Sequence, residues 1–103
     1  MIYVDIDGTI CTNELRGEYH NAEPYMDRIK EINGLYDNGC TVVYWTARGT
    51  ETGQDWLEYT RTQLRLWGAK YTDLMVGKPF YDLWIDDKSV EPKEWFHESN
   101  NNR

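Results

Sequence analysis

Two carboxylates one residue apart, Asp5 and Asp7, close a short apolar run and are followed by Gly8 and Thr9. Asp7-Gly8 alone is ordinary turn chemistry. Asp5 is not, because it interrupts a β-prone run before the turn begins. A buried acid is costly unless it is paired or binds a metal. The two share side-chain parity, yet the chain must leave the strand between them. Both carboxylates can therefore converge just beyond the strand end, where a hard divalent cation would offset their repulsion. Farther along, Thr46 ends a second apolar run and Arg48 follows it. Lys78 sits in a Gly-Lys-Pro loop, and Asp86-Asp87 close a last apolar run.

Those residue types are the parts of a phosphoryl-transfer centre. A carboxylate can attack phosphorus and split the transfer into two steps. Magnesium takes oxygen ligands and neutralises charge between nucleophile and phosphate. A lysine and a threonine hydroxyl can hold phosphoryl oxygens. A second carboxylate can protonate the leaving alkoxide and then deprotonate the attacking water.

The elements must bring these residues to one edge. Residues 2–6 read as a buried parallel strand. Residues 8–21 read as a loop, with room for a small hairpin or flap. A helix is expected over roughly 23–37, with Pro24 in its first turn and Gly39 as its stop. Its expected apolar stripe is Tyr25, Met26, Ile29, Ile32 and Tyr36. Residues 41–46 are β-branched and aromatic, hence a second strand. Thr52 to Asp55 has the capping-box pattern. The helix after it would turn Trp56, Leu57, Thr60, Leu64 and Trp67 inward and stop at Gly68. Residues 74–76 make a weak third strand and 81–85 a fourth. Trp95 and Phe96 can anchor a final short helix, and 99–103 reads as a frayed end. This order indicates an α/β sandwich with a mostly parallel sheet. In such sheets the ligand crevice lies beyond the carboxyl ends of the strands.

Composition bounds the rest. The chain has 103 residues, 40% hydrophobic, with five Trp and eight Tyr. That suits one domain over 1–103, with a core to about residue 88 and a tail over 89–103. Cys11 and Cys40 lack metal-ligand or redox spacing and read as free thiols of a reducing compartment. No signal-like or membrane-spanning run is present, so the expected location is cytoplasmic, away from membrane. The net charge of −7 disfavours nucleic acid as a partner. His20 and His97 read as surface residues.

The sequence resembles the haloacid dehalogenase (HAD) superfamily. Asp5-Ile6-Asp7-Gly8-Thr9 is similar to its first motif, Thr46 to its second, Lys78 to its third and Asp86-Asp87 to its fourth. The resemblance runs from residue 2 to about 88. It implies a Rossmann-like three-layer α/β/α sandwich, with Asp5 as nucleophile and Asp7 as general acid/base. It assigns magnesium to Asp5, the backbone carbonyl of Asp7, and Asp86, with Asp87 assisting directly or through water. It gives the phosphoryl group to Thr46 and Lys78. Neither the first nor the second inter-strand gap has room for a cap domain. Size and the 45–48 stretch are similar to small bacterial phosphatases of capsule and surface-polysaccharide synthesis.

The reading that follows is a magnesium-dependent phosphatase acting on a small phosphorylated metabolite, a sugar phosphate first. An open, capless site would be closed by loops 11–20 and 48–55, by a partner subunit in a homo-oligomer, or by the substrate's own size. Arg48 is assigned either to substrate or to pairing with an acid. Two other readings stand beside this one. One is a polynucleotide phosphatase, against which the missing basic surface counts. The other is a non-catalytic module that keeps the fold, against which the intact motif residues count.

Overall fold

The computed structural model describes residues 1–15 and 17–97; the frayed end expected at 99–103 lies outside these. Three short strands form one parallel sheet in the order β1 (Ile2–Val4), β2 (Val42–Trp45), β3 (Asp73–Met75). The register pairs Val4 with Tyr44 and Tyr44 with Leu74. Helix α1 (Met26–Asp37) connects β1 to β2, and α2 (Leu57–Leu66) connects β2 to β3. Right-handed crossovers that step the same way along a sheet put both helices on one face. The core agrees: Val4, Val42, Tyr44 and Leu74 cluster with Ile29 and Ile32 of α1 and Leu64 of α2. A parallel α/β fold is therefore what the chain has.

The third layer expected from sequence is missing among the described residues. On the other face lie Tyr3, Val43, Trp45 and Met75, and Tyr3 and Met75 are exposed. No described helix packs there. Trp84, from the chain after β3, stacks edge-on against Trp45 with ring centroids 6.5 Å apart.

The fourth strand expected at 81–85 does not form, and the reason is chain length. Lys78 is held at the carboxyl edge: its N–H donates to the Thr46 carbonyl at 3.1 Å and its ammonium to Asp5 at 3.1 Å. To run parallel with Asp86 level with Asp5, Tyr81 would have to lie about 16 Å back along the sheet. Three residue steps from Lys78 reach about 11 Å at most. Parallel neighbours need a crossover of a dozen or more residues, and this chain lacks one. Residues 77–90 instead run outside the sheet, with Leu83 and Ile85 exposed.

Helix boundaries also shift for local reasons. Pro24 precedes α1 instead of opening it. The 23–25 strip pairs with 10–12: Thr12 N–H donates to the Glu23 carbonyl and Tyr25 N–H to that of Ile10. That ladder makes the flap after β1. The buried stripe of α1 is Arg28, Ile29 and Ile32, with Tyr25, Met26 and Tyr36 exposed. Asp55, not Thr52, accepts the first N–H of α2, from Leu57 at 2.9 Å. Leu57, Thr60, Leu64 and Trp67 do face inward, whereas Trp56 packs on Tyr19 and Tyr59. Both helices stop as expected. Gly39 and Gly68 take positive φ, and the next residues, Cys40 and Ala69, donate back to Leu35 and Leu64. The tail ends in α3 (Pro92–Trp95), after which Phe96 is buried beneath Arg28. No described helix is long and apolar enough to cross a membrane.

Candidate active site

The carboxyl edge of β1 turns sharply. The Ile6 carbonyl accepts the N–H groups of Thr9 and Ile10, and Gly8, at φ 83°, donates to Cys11. The left-handed backbone at Gly8 is what a glycine supplies without strain. The turn leaves Asp5 and Asp7 on the rim of a cleft of about 320 Å³. Asn13, Glu14, Tyr19, Lys78, Phe80 and Tyr81 also line it.

Asp5 stands at the mouth. One carboxylate oxygen accepts from the Lys78 ammonium at 3.1 Å and the other from the Thr9 hydroxyl at 3.1 Å. Its side chain is 36% exposed and that of Lys78 14%, so an incoming group can reach the pair. Lys78 also lies over the Tyr81 ring, 5.5 Å from its centroid. Such contacts favour a fixed ammonium over a solvated loop lysine. The sequence-predicted pair 73 residues apart is thus brought together.

Asp7 and Arg48 form the floor. Arg48 donates Nε and Nη2 to the two oxygens of Asp7, at 2.9 and 2.8 Å. Its Nη1 donates to Thr60 and Gln63, at 3.2 and 2.8 Å, and its plane lies 4.4 Å from the Tyr19 centroid. The Arg48 side chain has no solvent exposure. Of the two sequence readings of Arg48, pairing with an acid is the one realised. Arg48 lines the cleft, but its Nε, Nη1 and Nη2 are already engaged by Asp7, Thr60 and Gln63. Cys11 touches the same carboxylate, Sγ to Oδ1 at 3.6 Å. Burial first, and the nearby Asp7 charge second, push the Cys11 thiol up to about 12.

Two sequence assignments are not met by this arrangement. Thr46 is buried, and its hydroxyl accepts the Arg48 N–H at 3.1 Å instead of facing the cleft. Asp86 and Asp87 do not line the cleft. They lie on the exposed segment, where Asp86 accepts from Trp84 and from the Lys88 N–H, and Asp87 pairs with Lys88.

A magnesium ion would need oxygen ligands of sufficient charge. Here Asp5 already faces an ammonium, Asp86 lies away from the cleft, and the Asp7 carboxylate, as distinct from the backbone carbonyl assigned to the metal, is taken by Arg48. Among the described residues no group of three or more acids, histidines or cysteines gathers to hold a metal. Among the described residues Asp86 and Asp87 are not brought to Asp5, so the expected ligands are not gathered at one point.

Several site residues escape sequence reading. Gln63 and Thr60 hold Arg48, and Gln63 Nε2 also donates to the Tyr19 carbonyl at 2.8 Å. Their signal is faint: polar residues three apart on the inward face of α2. Arg28 is buried and donates to the Thr9 carbonyl at 2.8 Å, bracing the loop. An arginine inside an apolar helix stripe is its only mark in the sequence.

No protein-family model and no curated protein matches the chain. A solved structure does: a structural-genomics target from Vibrio cholerae, 28% identical, with a TM-score of 0.82. The match covers 98% of this chain and 89% of that one. That protein carries no functional name, and the similarity supports the small α/β architecture.

Proposed function

We propose that the cleft hydrolyses phosphomonoesters through an acyl-phosphate on Asp5, as in a capless member of the HAD superfamily. The observation that carries this reading is the Lys78–Asp5 pair at the open mouth. A partly exposed carboxylate is held 3.1 Å from a cation that can receive a phosphoryl group. A phosphoryl oxygen can take the place of Asp5 against Lys78 as the ester enters. The freed Asp5 oxygen then attacks phosphorus and the P–O bond to the leaving group breaks. Lys78 offsets charge on the equatorial oxygens, where preorganised donors act best. The alkoxide takes its proton from Asp7, the second acid of the cleft, which must carry that proton when the ester enters. Both Asp7 oxygens accept from Arg48, so protonation there requires one of those bonds to open. Water then gives a proton to Asp7 and attacks phosphorus, the P–O bond to Asp5 breaks, and phosphate leaves. The ion pairs hold these groups in place before substrate arrives.

A small cleft on a chain of charge −7 fits a compact sugar phosphate better than a polynucleotide. The test is a panel of phosphorylated metabolites, assayed with magnesium. Mass spectrometry of quenched protein would locate the phosphoryl adduct. Turnover with an adduct on Asp5 is the expected result. Absence of turnover across the panel, with magnesium present, would favour a non-catalytic module. Inhibition by single-stranded DNA would favour the polynucleotide reading.

A further inference from the structure

We infer that the cleft carries a leaving-group subsite, built by Phe80 and Tyr81 after Lys78 and by Asn13 and Glu14 of the flap, and that it takes the ring of a cyclic sugar phosphate. The inference deepens the phosphatase reading and rests on it for one thing, the placing of the phosphoryl group at Lys78.

The two aromatics follow Lys78 closely, with Pro79 between. Both line the cleft, and both are 49% exposed. Tyr81 is not a loose surface ring. The Lys78 ammonium lies 5.5 Å from its centroid, and Trp84 packs against it at 5.0 Å. Trp84 is held in turn by Trp45, with ring centroids 6.5 Å apart, and by Asp86, which accepts its indole N–H at 3.3 Å. A ring braced in this way is ordered before a ligand arrives, so covering it costs little further entropy. Its contact with Lys78 also fixes what it meets. When Lys78 holds a phosphoryl oxygen, the group across the ester bond comes level with Tyr81 and Phe80.

The flap supplies the polar half. Asn13 and Glu14 line the same cleft. The Thr12 hydroxyl donates to one Glu14 oxygen at 2.7 Å and accepts the Glu23 N–H at 2.9 Å, which ties that carboxylate to the flap ladder. Ionised Glu14 accepts hydroxyl protons, and the Asn13 amide both donates and accepts. A sugar ring has C–H groups on its faces and hydroxyls around its rim, and so matches both halves. An acyclic polyol has the hydroxyls but no face to cover the aromatics. A nucleobase has the faces, but in a nucleoside monophosphate the ribose stands between it and Lys78. Charge sets the direction of entry, because Lys78 attracts the phosphoryl group and Glu14 repels it. At about 320 Å³ the cleft stands at the low end of small-molecule sites, roughly 300–1,000 Å³, with room for one ring and its phosphoryl group.

Glucose 6-phosphate and glycerol 1-phosphate test this, because both release a primary alkoxide and they differ in the ring. With magnesium present, wild-type kcat/KM should favour the sugar ester by about tenfold, the order of one ring contact. Phe80→Ala and Tyr81→Leu should each shrink that preference severalfold, chiefly through KM, as loss of uniform binding does. Tyr81→Leu also loosens Lys78, but that loss enters both rates and cancels in their ratio. An unchanged ratio in both variants would overturn the subsite, as would equal kcat/KM for the two esters in the wild type; turnover would still uphold the phosphatase reading. A wild-type preference for adenosine monophosphate over the sugar ester would also overturn it, by putting a base on the rings. Calorimetry on the Asp5→Asn protein separates binding from turnover. Tighter binding of glucose 6-phosphate than of glycerol 1-phosphate there, beside a wild type that hydrolyses neither, would uphold the subsite and remove the phosphatase reading instead.

Discussion

Arg48 holds Asp7 by both carboxylate oxygens, at 2.9 and 2.8 Å, from a side chain with no solvent exposure. This pair joins the turn after β1 to the loop after β2 and, through Thr60 and Gln63, to α2. It fixes the second acid of the site as a structural member before any chemistry occurs.

The first prediction concerns that pair. Arg48→Ala leaves the Asp7 carboxylate with only the weak Cys11 thiol as donor, and removes the Arg48 donor from the Thr60 hydroxyl and Gln63 Oε1. Breaking a buried ion pair from one side costs roughly 3–5 kcal/mol. Asp7 keeps 18% side-chain exposure, which places the loss near the low end, about 3 kcal/mol. Arg48→Lys should restore little of it, because an ammonium cannot span two oxygens and reach α2 as a planar fork does. Urea unfolding of the three proteins measures both. An Arg48→Ala protein as stable as wild type would show that the pair is not holding the loops.

How much of this is open to sequence reading divides along physical lines. Asp5 with Lys78 is legible because a strand end and a loop lysine are local features that the parallel topology brings to one edge. The depth of Arg48 is not, since its burial depends on Thr60, Gln63 and Tyr19, which come from two distant elements. The hydrophobic run at 81–85 reads as a strand from composition alone. Composition says that a segment can pair, but the connection length from Lys78 decides what it can pair with. Pro24 misleads for a similar reason. It suits a first helical turn, yet the ladder with residues 10–12 claims those backbone groups.

The second prediction concerns Asp5→Asn. Asp5 is partly exposed, and its partners Lys78 and Thr9 can turn to water. Stability should therefore change little. Loss of the proposed nucleophile should lower turnover by at least about 10³-fold. Steady-state rates beside a thermal melt test the pair of statements, with mass spectrometry checking for deamidation back to Asp. Wild-type turnover by the intact, undeamidated Asp5→Asn protein would remove Asp5 as the nucleophile.

The third prediction is a pH effect. The Cys11 thiol is raised from 9.0 to about 12 in the fold, by burial first and the Asp7 charge second. The unfolded chain therefore loses this proton first as pH rises. The stability linked to Cys11 is fully present below pH 9 and falls between about 9 and 12. Burial of Tyr44 raises its phenol too and acts in the same direction. Cys11→Ser also perturbs packing at neutral pH, so the informative quantity is the slope of stability against pH. That slope should be shallower above pH 9 in the variant. Equal slopes would mean that Cys11 ionises as readily in the fold as outside it. Thiol alkylation gives an independent check, since partly exposed Cys40 should react long before buried Cys11.

The fourth prediction tests Asp7 through the leaving group. A sugar alkoxide departs poorly without a proton, whereas a nitrophenolate departs readily. General acid catalysis contributes about 10²–10⁴-fold where it is needed. If Asp7 supplies that proton, Asp7→Asn should slow acyl-phosphate formation far more for a sugar phosphate than for nitrophenyl phosphate. The substitution also turns an amide towards Arg48, which weakens the floor of the cleft and lowers the folded fraction. Comparing two substrates on the same preparation cancels that loss, because the folded fraction enters both rates equally. In the proposed mechanism Asp7 also serves as base for the water that hydrolyses the intermediate. The aryl ester should then give a burst of nitrophenolate followed by slow turnover, resolved by rapid mixing. Equal slowing of the first step on both substrates would assign Asp7 to holding Arg48 and the loops, with no part in proton transfer.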